Sequence, residues 1–384
     1  MQHQRTNMNI NDYTCEAVAL LSELIATPSV SREERKAADL LEARLRQWGL
    51  SPQREGNNVW CFSNGFSAER PVVLLNAHID TVRPVASWTR DPFVPSLEGD
   101  VLYGLGVNDC GGGLVSLLQA FRILNQETTR CPPLTPPRGG ELSTPNSKLS
   151  TLHSPLSLIF LASCEEEVSG ADGIARVLSL LPRVDVAIVG EPTGMQPAVA
   201  EKGLMVIDMT ARGKSGHAAR GEGVNALYQM LDDLCWIRDY RFERVSDFLG
   251  PTVMQATVIQ AGTQHNVVPD LCKAVIDVRT NELYSNEEVF DIIRRHVRSE
   301  VKARSFRLSS SSIATDHPLV RRCIELGKQP FGSPTLSDQA LMPFPSLKMG
   351  PGNSARSHSA DEFIRVSEIR DAIETYLELL RFAQ

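Results

Sequence analysis

Three short runs of consecutive apolar residues constrain the fold of this 384-residue chain more than any other feature of its sequence. The runs cover residues 72–75, 156–162 and 184–189. Apolar segments of this length are typical of strands buried on both faces, as in a parallel sheet covered by helices. A helix predicted over 112–124 separates the first two runs. The sequence therefore predicts an α/β fold with a mostly parallel sheet flanked by helices.

Polar side chains follow each run at the point where the strand should end. His78 and Asp80 follow the first run, glutamates 165–167 follow the second, and Glu191 follows the third. Open α/β sheets bind their ligands beyond the carboxyl ends of their strands. We therefore expect a functional site along one edge of the sheet.

The residue types at this edge indicate metal chemistry. Alternate side chains of an extended chain point the same way, so Asp80 could accept the second ring N–H of His78 and improve the other nitrogen as a ligand. Three consecutive carboxylates beside a buried strand are unfavourable unless a cation compensates their charge. If one glutamate binds a metal, its neighbour can take a proton from water and return it to a leaving nitrogen. A surface His-x-Asp pair and a solvated charge run remain the alternatives.

Two further candidate ligands, Asp109 and His358, come from glycine-containing loops. Asp109 lies within residues 104–113, where glycines let the backbone approach a ligand and a helix begins. This spacing is not that of a phosphate-binding P-loop, and an aspartate inside it would repel phosphate, so nucleotide binding is disfavoured. His358 ends the segment 350–358 and could equally be a loop histidine. Together these imidazoles and carboxylates suit one or two divalent metal ions that activate water.

Composition excludes several classes of partner. The formal net charge is −7 and lysine and arginine form no cluster, which argues against nucleic acid and anionic membranes. No run approaches about 18 apolar residues, and the N-terminus lacks the apolar stretch of a signal peptide, so we expect neither export nor membrane insertion. The eight cysteines are scattered without a CxxC pair, which is typical of reduced thiols in a cytoplasmic protein. Small molecules are therefore the expected ligands.

The pattern of the sequence changes over residues 199–306, which predicts a second domain. This region mixes strand-like and helical segments within about 100 residues, as in a separate α+β unit inserted into the first domain. The catalytic domain would then comprise residues 1–198 and 307–384. Residues 126–154 are rich in proline, serine and threonine without apolar periodicity, which predicts a mobile surface insertion.

Local patterns also predict individual elements. A helix is expected over 13–25, and a second one from Ser31, as N-cap, to residue 49. Within the inserted unit the predicted strands are 205–209, 252–259 and 273–278, and the predicted helices are 225–237 and 286–301.

Seven motifs occur in a fixed order along the chain. They are H-I-D at 78–80, the glycine-flanked Asp109, E-E-E-V-S-G at 165–170, G-E-P-T at 190–193, G-K-S-G-H at 213–217, N-V-V-P at 266–269, and a closing G-P-G…H…D-E. In this order the chain resembles the M20 metallopeptidase/amidohydrolase family, which includes acetylornithine deacetylases, succinyl-diaminopimelate desuccinylases and carboxypeptidases. The resemblance covers essentially the whole chain. It implies a zinc-binding α/β domain interrupted by a smaller lid or dimerisation domain.

The resemblance also implies roles for the candidate residues. It implies two divalent metal ions, with zinc expected and cobalt or manganese as alternatives. The implied ligands are His78 and Glu191 on one side, Glu167 and His358 for the other metal, and Asp109 as the bridge. Glu166 would be the general acid/base, and Asp80 would orient His78. A slip of one residue in aligning the glutamates would move both of their roles, so Glu165 stays open as an alternative.

Three residues of the inserted domain have implied roles outside the metal centre. In the family the histidine that matches His217 reaches the partner subunit's site and stabilises the oxyanion, which implies a homodimer. Asn266 and Arg279 resemble positions that bind the substrate's amide and α-carboxylate, and a guanidinium suits a carboxylate. A turn histidine, a turn asparagine and a strand-end arginine are the structural alternatives.

One departure from the family pattern lies beside the metal-binding segments. The loop after Asp109 usually carries a bulky residue and a lysine, whereas this chain has Cys110 and Gly111. Cys164 likewise lies just ahead of the glutamates. Packing and adventitious metal binding both remain open for these thiols.

These observations predict a metal-dependent amidohydrolase that removes the acyl group from an Nα-acyl-amino acid. N-acetylornithine or N-succinylornithine, in arginine biosynthesis, is the first expected substrate. Succinyl-diaminopimelate desuccinylase is the first alternative, and a carboxypeptidase or dipeptidase would share every metal residue. A non-catalytic metal-dependent binding protein or scaffold is the alternative of another class, and it predicts the loss of a ligand or of the base.

Overall fold

A computed structural model describes residues 8–130 and 156–382, which form two compact units. The first unit contains residues 8–130, 156–198, 313–330 and 342–382, and the second contains 199–312 and 331–341. The second unit begins where the sequence predicts, but it also includes 307–312 and 331–341, which the sequence pattern places in the catalytic domain. The reason is backbone pairing, because Ser311 pairs with Glu201 in an antiparallel ladder and the Lys202 N–H donates to the Ser333 carbonyl at 3.1 Å.

Helices and strands follow one another throughout both units. The helices of the described chain are α1 (Ile10–Ile25), α2 (Arg35–Gln47), α3 (Gly112–Arg130), α4 (Ile174–Leu178), α5 (Ala226–Asp239), α6 (Asn286–His296), α7 (Pro318–Glu325) and α8 (Val366–Phe382). The strands are β1 (Gln53–Glu55), β2 (Asn58–Phe62), β3 (Val72–His78), β4 (Ser96–Glu98), β5 (Val101–Tyr103), β6 (Ser157–Ser163), β7 (Val186–Val189), β8 (Ala198–Glu201), β9 (Met205–Arg212), β10 (Val253–Ala261), β11 (Leu271–Arg279), β12 (Glu300–Ala303), β13 (Ser311–Ser312), β14 (Phe331–Ser333), β15 (Ser346–Lys348) and β16 (Phe363–Arg365). Among the described helices, none has both the length and the apolar character needed to cross a membrane.

The first unit is built on a mostly parallel sheet with the strand order β1-β2-β6-β3-β7-β15. Strand β3 pairs in parallel with β6 and with β7, and β15 continues in parallel with β7. Every residue of β3, β6 and β7 is buried, as continuous apolar runs require. Helices α1, α3 and α8 pack on one another, and α3 also contacts β3. The predicted α/β class is confirmed.

Several predicted boundaries differ from the structure. Helix α2 begins at Arg35 rather than after Ser31, because the Ser31 hydroxyl donates to Asp80, 2.7 Å away, instead of capping the helix. Helix α3 continues to Arg130, through residues 126–130 of the predicted insertion. The remainder of that insertion, 131–154, lies outside the described residues. Helix α6 ends at His296, and the expected end of that helix is instead strand β12, which pairs with β9.

The second unit is an α+β domain. Its antiparallel sheet has the order β10-β11-β9-β12, with β10 at one edge. Buried and partly exposed side chains alternate along β9, and the buried ones pack with apolar residues of α5 and α6 in one core. The alternation of apolar and other residues that the sequence shows at 205–209 therefore arises because only one face of the strand is buried.

A glycine contact fixes the position of α3 against the end of β7. A Cβ at Gly113 would overlap the backbone carbonyl of Gly190, the residue before Glu191. We expect Gly113→Ala to lower the free energy of unfolding by about 3 kcal/mol, because backbone cannot yield to an added methyl group. Urea denaturation measures this loss. Gly327→Ala is the matched control, since Gly327 has φ +76° and open space around it. Its free energy of unfolding should fall by only about 1–2 kcal/mol, the cost of a left-handed backbone at alanine. Equal losses in both variants would contradict the contact.

Candidate metal centre

The ends of β6, β3 and β7 bring the predicted ligands together. His78 is the last residue of β3, the glutamates 165–167 follow β6, and Glu191 follows β7. These strands are parallel neighbours, so their carboxyl ends meet at one edge of the sheet. His78 Nε2 lies 3.6 Å from Glu191 Oε1 and 3.8 Å from Glu166 Oε2.

Asp109 stands between two groups of donor atoms. It lies in the segment Val107–Gly111 directly before α3, where its own backbone is not helical (φ −117°, ψ 99°). Its Oδ1 is 3.3 Å from His78 Nε2, and its Oδ2 is 3.6 Å from His358 Nε2. His358 Nε2 also lies 2.9 Å from Glu167 Oε2. Each oxygen of Asp109 therefore faces a different imidazole, as a carboxylate shared by two metal ions would.

The charges of this cluster fit divalent cations. Burial, followed by the Asp109 charge, raises the pKa of Glu191 to about 8, and Glu191 Oε1 accepts no hydrogen bond within the described residues. Burial opposes ionisation of Asp109, but the hydrogen bond and charge of His78 lower its pKa to about 2. The Glu167 hydrogen bond raises the pKa of His358 to about 9. Without a metal, protonated imidazoles and a protonated Glu191 would have to balance the site, and metal ions would replace those protons.

Asp80 holds two parts of the centre at once. The Nδ1–H of His78 donates to the backbone carbonyl of Asp80 at 2.8 Å, which leaves Nε2 for the site. The Asp80 carboxylate is farther from Nδ1, at 3.6 Å, so the expectation that it accepts the ring N–H is wrong in this structure. It accepts instead from the backbone N–H groups of Glu166 (3.1 Å) and Glu167 (3.2 Å). Asp80 therefore positions the glutamate loop, and its backbone orients His78.

The three glutamates point in different directions. Glu166 faces His78 and Glu167 faces His358. Glu165 has φ +54°, and its carboxylate lies over Gly170, where an added Cβ would overlap it. This arrangement brings Glu166 and Glu167 to the cluster and turns Glu165 away from it.

Two buried carboxylates, Glu362 and Glu34, support the site but are not among the site residues predicted from the sequence. Glu362 accepts from the backbone N–H groups of Gly106 (3.0 Å), Asn108 (2.8 Å) and Asp109 (3.0 Å), and so shapes the loop that carries Asp109. Burial raises the pKa of Glu362 to about 7. Glu34 accepts from the backbone N–H of Glu165 at 3.2 Å. The closing D-E motif contains the signal for Glu362, whereas the pattern around Glu34 indicates only the start of a helix.

The remaining predicted residues lie in the second unit. His217 is exposed, and its Nδ1 accepts from the backbone N–H of Ala219 at 3.2 Å, which leaves Nε2–H as an outward donor. Asn266 is its neighbour, because the Asn266 carbonyl accepts from the Ala218 N–H at 3.0 Å. Arg279, at the end of β11, donates to both carboxylate oxygens of Asp277, at 2.8 and 3.1 Å. A substrate carboxylate would therefore have to share Arg279 with Asp277.

The metal-free protein should lose stability as the pH rises. Glu191 and Glu362 have raised pKa values, about 8 and about 7. The folded state therefore binds more protons than the unfolded chain from about pH 5 upward, and each such proton gives a slope of about −1.4 kcal/mol per pH unit. Thermal unfolding of chelator-treated protein from about pH 5 to about pH 8 should show a falling Tm. Glu191→Gln should flatten the slope, and added zinc should reverse it because ligands bind metal deprotonated. A Tm of the metal-free protein that rises from about pH 5 to about pH 8 would contradict the raised pKa values of Glu191 and Glu362.

An α/β sheet with paired imidazoles and carboxylates around a shared aspartate defines a metal-dependent hydrolase. Two segments of the chain match known protein families. Residues 74–133 match peptidase family M20/M25/M40, and residues 199–305 match the peptidase dimerisation domain. These two matches confirm the predicted resemblance to the M20 family and the predicted class of metal-dependent hydrolase.

Similar proteins cover nearly the whole chain. A succinyl-diaminopimelate desuccinylase from Cereibacter sphaeroides is 27% identical over 95% of this chain and 98% of its own. An acetylornithine deacetylase from Proteus mirabilis is also 27% identical, over 94% of this chain and 95% of its own.

Solved structures share the fold. Aminopeptidase PepT from Bacillus cereus has a TM-score of 0.72 at 17% identity, over 96% of this chain and 98% of its own. A dinuclear metal-binding peptidase of the M20 family from Bacillus subtilis has a TM-score of 0.69, also at 17% identity and the same coverage. At this identity the likeness concerns the fold alone.

Proposed function

We propose that the protein hydrolyses the amide bond of an Nα-acyl-amino acid, with Glu166 as general acid/base beside a two-metal centre. The observation that carries this proposal is the position of Glu166, whose Oε2 lies 3.8 Å from His78 Nε2 at the edge of the ligand cluster. A carboxylate beside a metal centre can exchange protons with water and with a leaving group.

The metal ligands would be divided by Asp109. His78 and Glu191 would hold one ion, Glu167 and His358 the other, and Asp109 both. The bound ions, zinc with cobalt or manganese as alternatives, would polarise the acyl carbonyl and make water more acidic.

The protein's own groups would then move the protons. Glu166 takes one proton from the attacking water as the water oxygen bonds to the acyl carbon. It delivers that proton to the amide nitrogen as the C–N bond breaks, which gives a free amine and a carboxylic acid. The acid then ionises, and its proton passes to the amine or to solvent. The outward Nε2–H of His217 would donate to the carbonyl oxygen as negative charge develops there.

For the substrate, we propose N-acetylornithine or N-succinylornithine first. The relatives named succinyl-diaminopimelate desuccinylase are 24–28% identical to this chain, against 27% for the acetylornithine deacetylase. We therefore take N-succinyl-diaminopimelate as the second candidate and lysine biosynthesis as a second pathway. A panel of acetylated and succinylated ornithine, succinylated diaminopimelate and dipeptides, assayed by amine release with zinc, cobalt or manganese, tests this. Turnover of an acyl-amino acid supports the proposal, and turnover of dipeptides alone would overturn it.

A cytoplasmic location stays a prediction.

We also propose a homodimer formed through the second unit. Strand β10 is an edge strand with an exposed row of residues, including Val258 (45% exposed) and Ile259 (47%). The match of residues 199–305 to a dimerisation domain supports a second copy of the chain as the occupant of this edge. In such a dimer His217 would serve the partner's metal centre.

Mixed dimers test whether His217 acts across the interface. His217→Ala and Glu166→Gln should each be nearly inactive alone. Dissociated and reassociated together, they should recover roughly a quarter of the wild-type activity, because half of the dimers then contain one intact site. If His217 acts within its own subunit, both sites of the mixed dimer are defective and mixing restores nothing. Each variant dissociated and reassociated alone is the control.

A further inference from the structure

Cys110 lies on the His78 side of the metal centre. The residue is 1% exposed. Its Sγ, a ring nitrogen of His78 and a carboxylate oxygen of Glu191 all lie within 4.8 Å of one another. One ion with bonds of about 2.0 Å to nitrogen and about 2.3 Å to sulfur can contact atoms this close after small side-chain adjustments. We propose that Cys110 is a thiolate ligand of the ion held by His78 and Glu191, and that it makes this half of the centre selective for thiophilic metals. The inference rests on the two-metal centre proposed above.

Glu191 supplies an independent indication of a cation at this point. Its Oε1 is buried and accepts no hydrogen bond within the described residues, although it lies 3.6 Å from His78 Nε2. A buried carboxylate oxygen without a donor is costly unless a cation meets it. A carboxylate oxygen of Glu191 and the sulfur of Cys110 belong to the same group of three donor atoms.

The backbone of His78 contacts the Cys110 sulfur in two ways. The S–H of Cys110 donates to the His78 carbonyl at 3.7 Å, a contact that coordination would break, and the second contact suits a charged sulfur. The backbone N–H of His78 donates to Cys110 Sγ at 3.2 Å. Hydrogen bonds of this kind stabilise metal-bound thiolates, since they reduce the charge on sulfur. Coordination would replace the thiol proton, which leaves to solvent as the metal–sulfur bond forms, and no electrons are transferred.

The two halves of the centre would then differ in chemistry. Among the described residues, the other half offers only oxygen and nitrogen donors, from Asp109, Glu167 and His358. Thiolates favour zinc and cadmium, whereas carboxylates also accept manganese. The half that contains Cys110 should therefore fill first with zinc, cadmium or cobalt.

Titration of the metal-free protein with Co²⁺ tests this proposal. The wild type should develop sulfur-to-cobalt charge-transfer absorption in the near ultraviolet that saturates at one equivalent per chain. Cys110→Ser should abolish the band and weaken Cd²⁺ binding by about 10-fold or more, with little change for Mn²⁺. Cys164→Ser is the matched control, because Cys164 is also buried but contacts the Asp172 carbonyl at 3.5 Å. It should keep the band. Absence of the band in the wild type, or its persistence in Cys110→Ser, would overturn the proposal.

A second measurement needs no variant. X-ray absorption of the wild type with one equivalent of Zn²⁺ should show one sulfur neighbour at about 2.3 Å, and a shell of only oxygen and nitrogen would overturn the proposal. Turnover is measured separately, so the two proposals can fail independently. A sulfur shell without hydrolysis of any acyl-amino acid leaves Cys110 as a ligand and removes the proposed function. Hydrolysis of an acyl-amino acid without a sulfur shell would support the proposed function and remove Cys110 as a ligand.

Discussion

Glu166→Gln should lower kcat by about 10³-fold or more while two metal ions stay bound, since positioned general acid/base groups contribute about 10²–10⁴-fold. Glutamine keeps the shape of the side chain but cannot accept the proton of the attacking water at Oε2. The ligand oxygens of Glu167, Glu191 and Asp109 are unchanged by the substitution. Metal analysis of the purified variant beside steady-state kinetics separates loss of the base from loss of the centre.

Glu165→Gln is the matched control for that variant. Its carboxylate lies over Gly170, away from His78. The control should therefore lose less than about 10-fold in kcat. If Glu165→Gln loses activity and Glu166→Gln keeps it, the roles of the glutamates are shifted by one residue. If neither loses activity, the proposed mechanism is wrong.

The sequence predicts the edge of the sheet on which the centre lies because that information is local. Continuous apolar runs mark buried parallel strands, and polar residues directly after them must lie at the carboxyl ends. The positions of His78 and Glu191 at the same edge therefore follow from the sequence alone. His358 needs the family pattern, since no local feature of its loop brings it to Glu167.

Other parts of the site depend on contacts between segments far apart in the chain. Ser31 has the local signature of an N-cap, but its hydroxyl is used by Asp80. The closing D-E motif marks Glu362, but the backbone N–H groups that it holds, more than 250 residues away, have no sequence signature. Helical periodicity predicts the end of a helix where the structure has strand β12. The prediction fails because pairing with β9 overrides that periodicity.

The bridging position of Asp109 leads to the second large effect. Its two oxygens face His78 and His358 separately, and Glu362 fixes its loop through three backbone N–H groups. Asparagine at this position would keep those backbone contacts but offer one oxygen and an NH₂ group that repels a cation. The substitution therefore removes the shared ligand without removing the loop that carries it.

We expect Asp109→Asn to bind fewer than two metal ions and to lose at least about 10³-fold in kcat/KM, because a metal ion contributes several kcal/mol and about 1.4 kcal/mol is tenfold. Metal content per chain after equilibrium dialysis, together with kcat/KM, measures both effects. Asp361→Asn is the control, since it removes the same charge three residues from His358 in the sequence, from a carboxylate that accepts from Thr89 and from the Arg90 N–H. It should retain both ions, and weaker hydrogen bonds to Thr89 should lower the free energy of unfolding only modestly. Two tightly bound ions in Asp109→Asn would show that Asp109 is not the bridge.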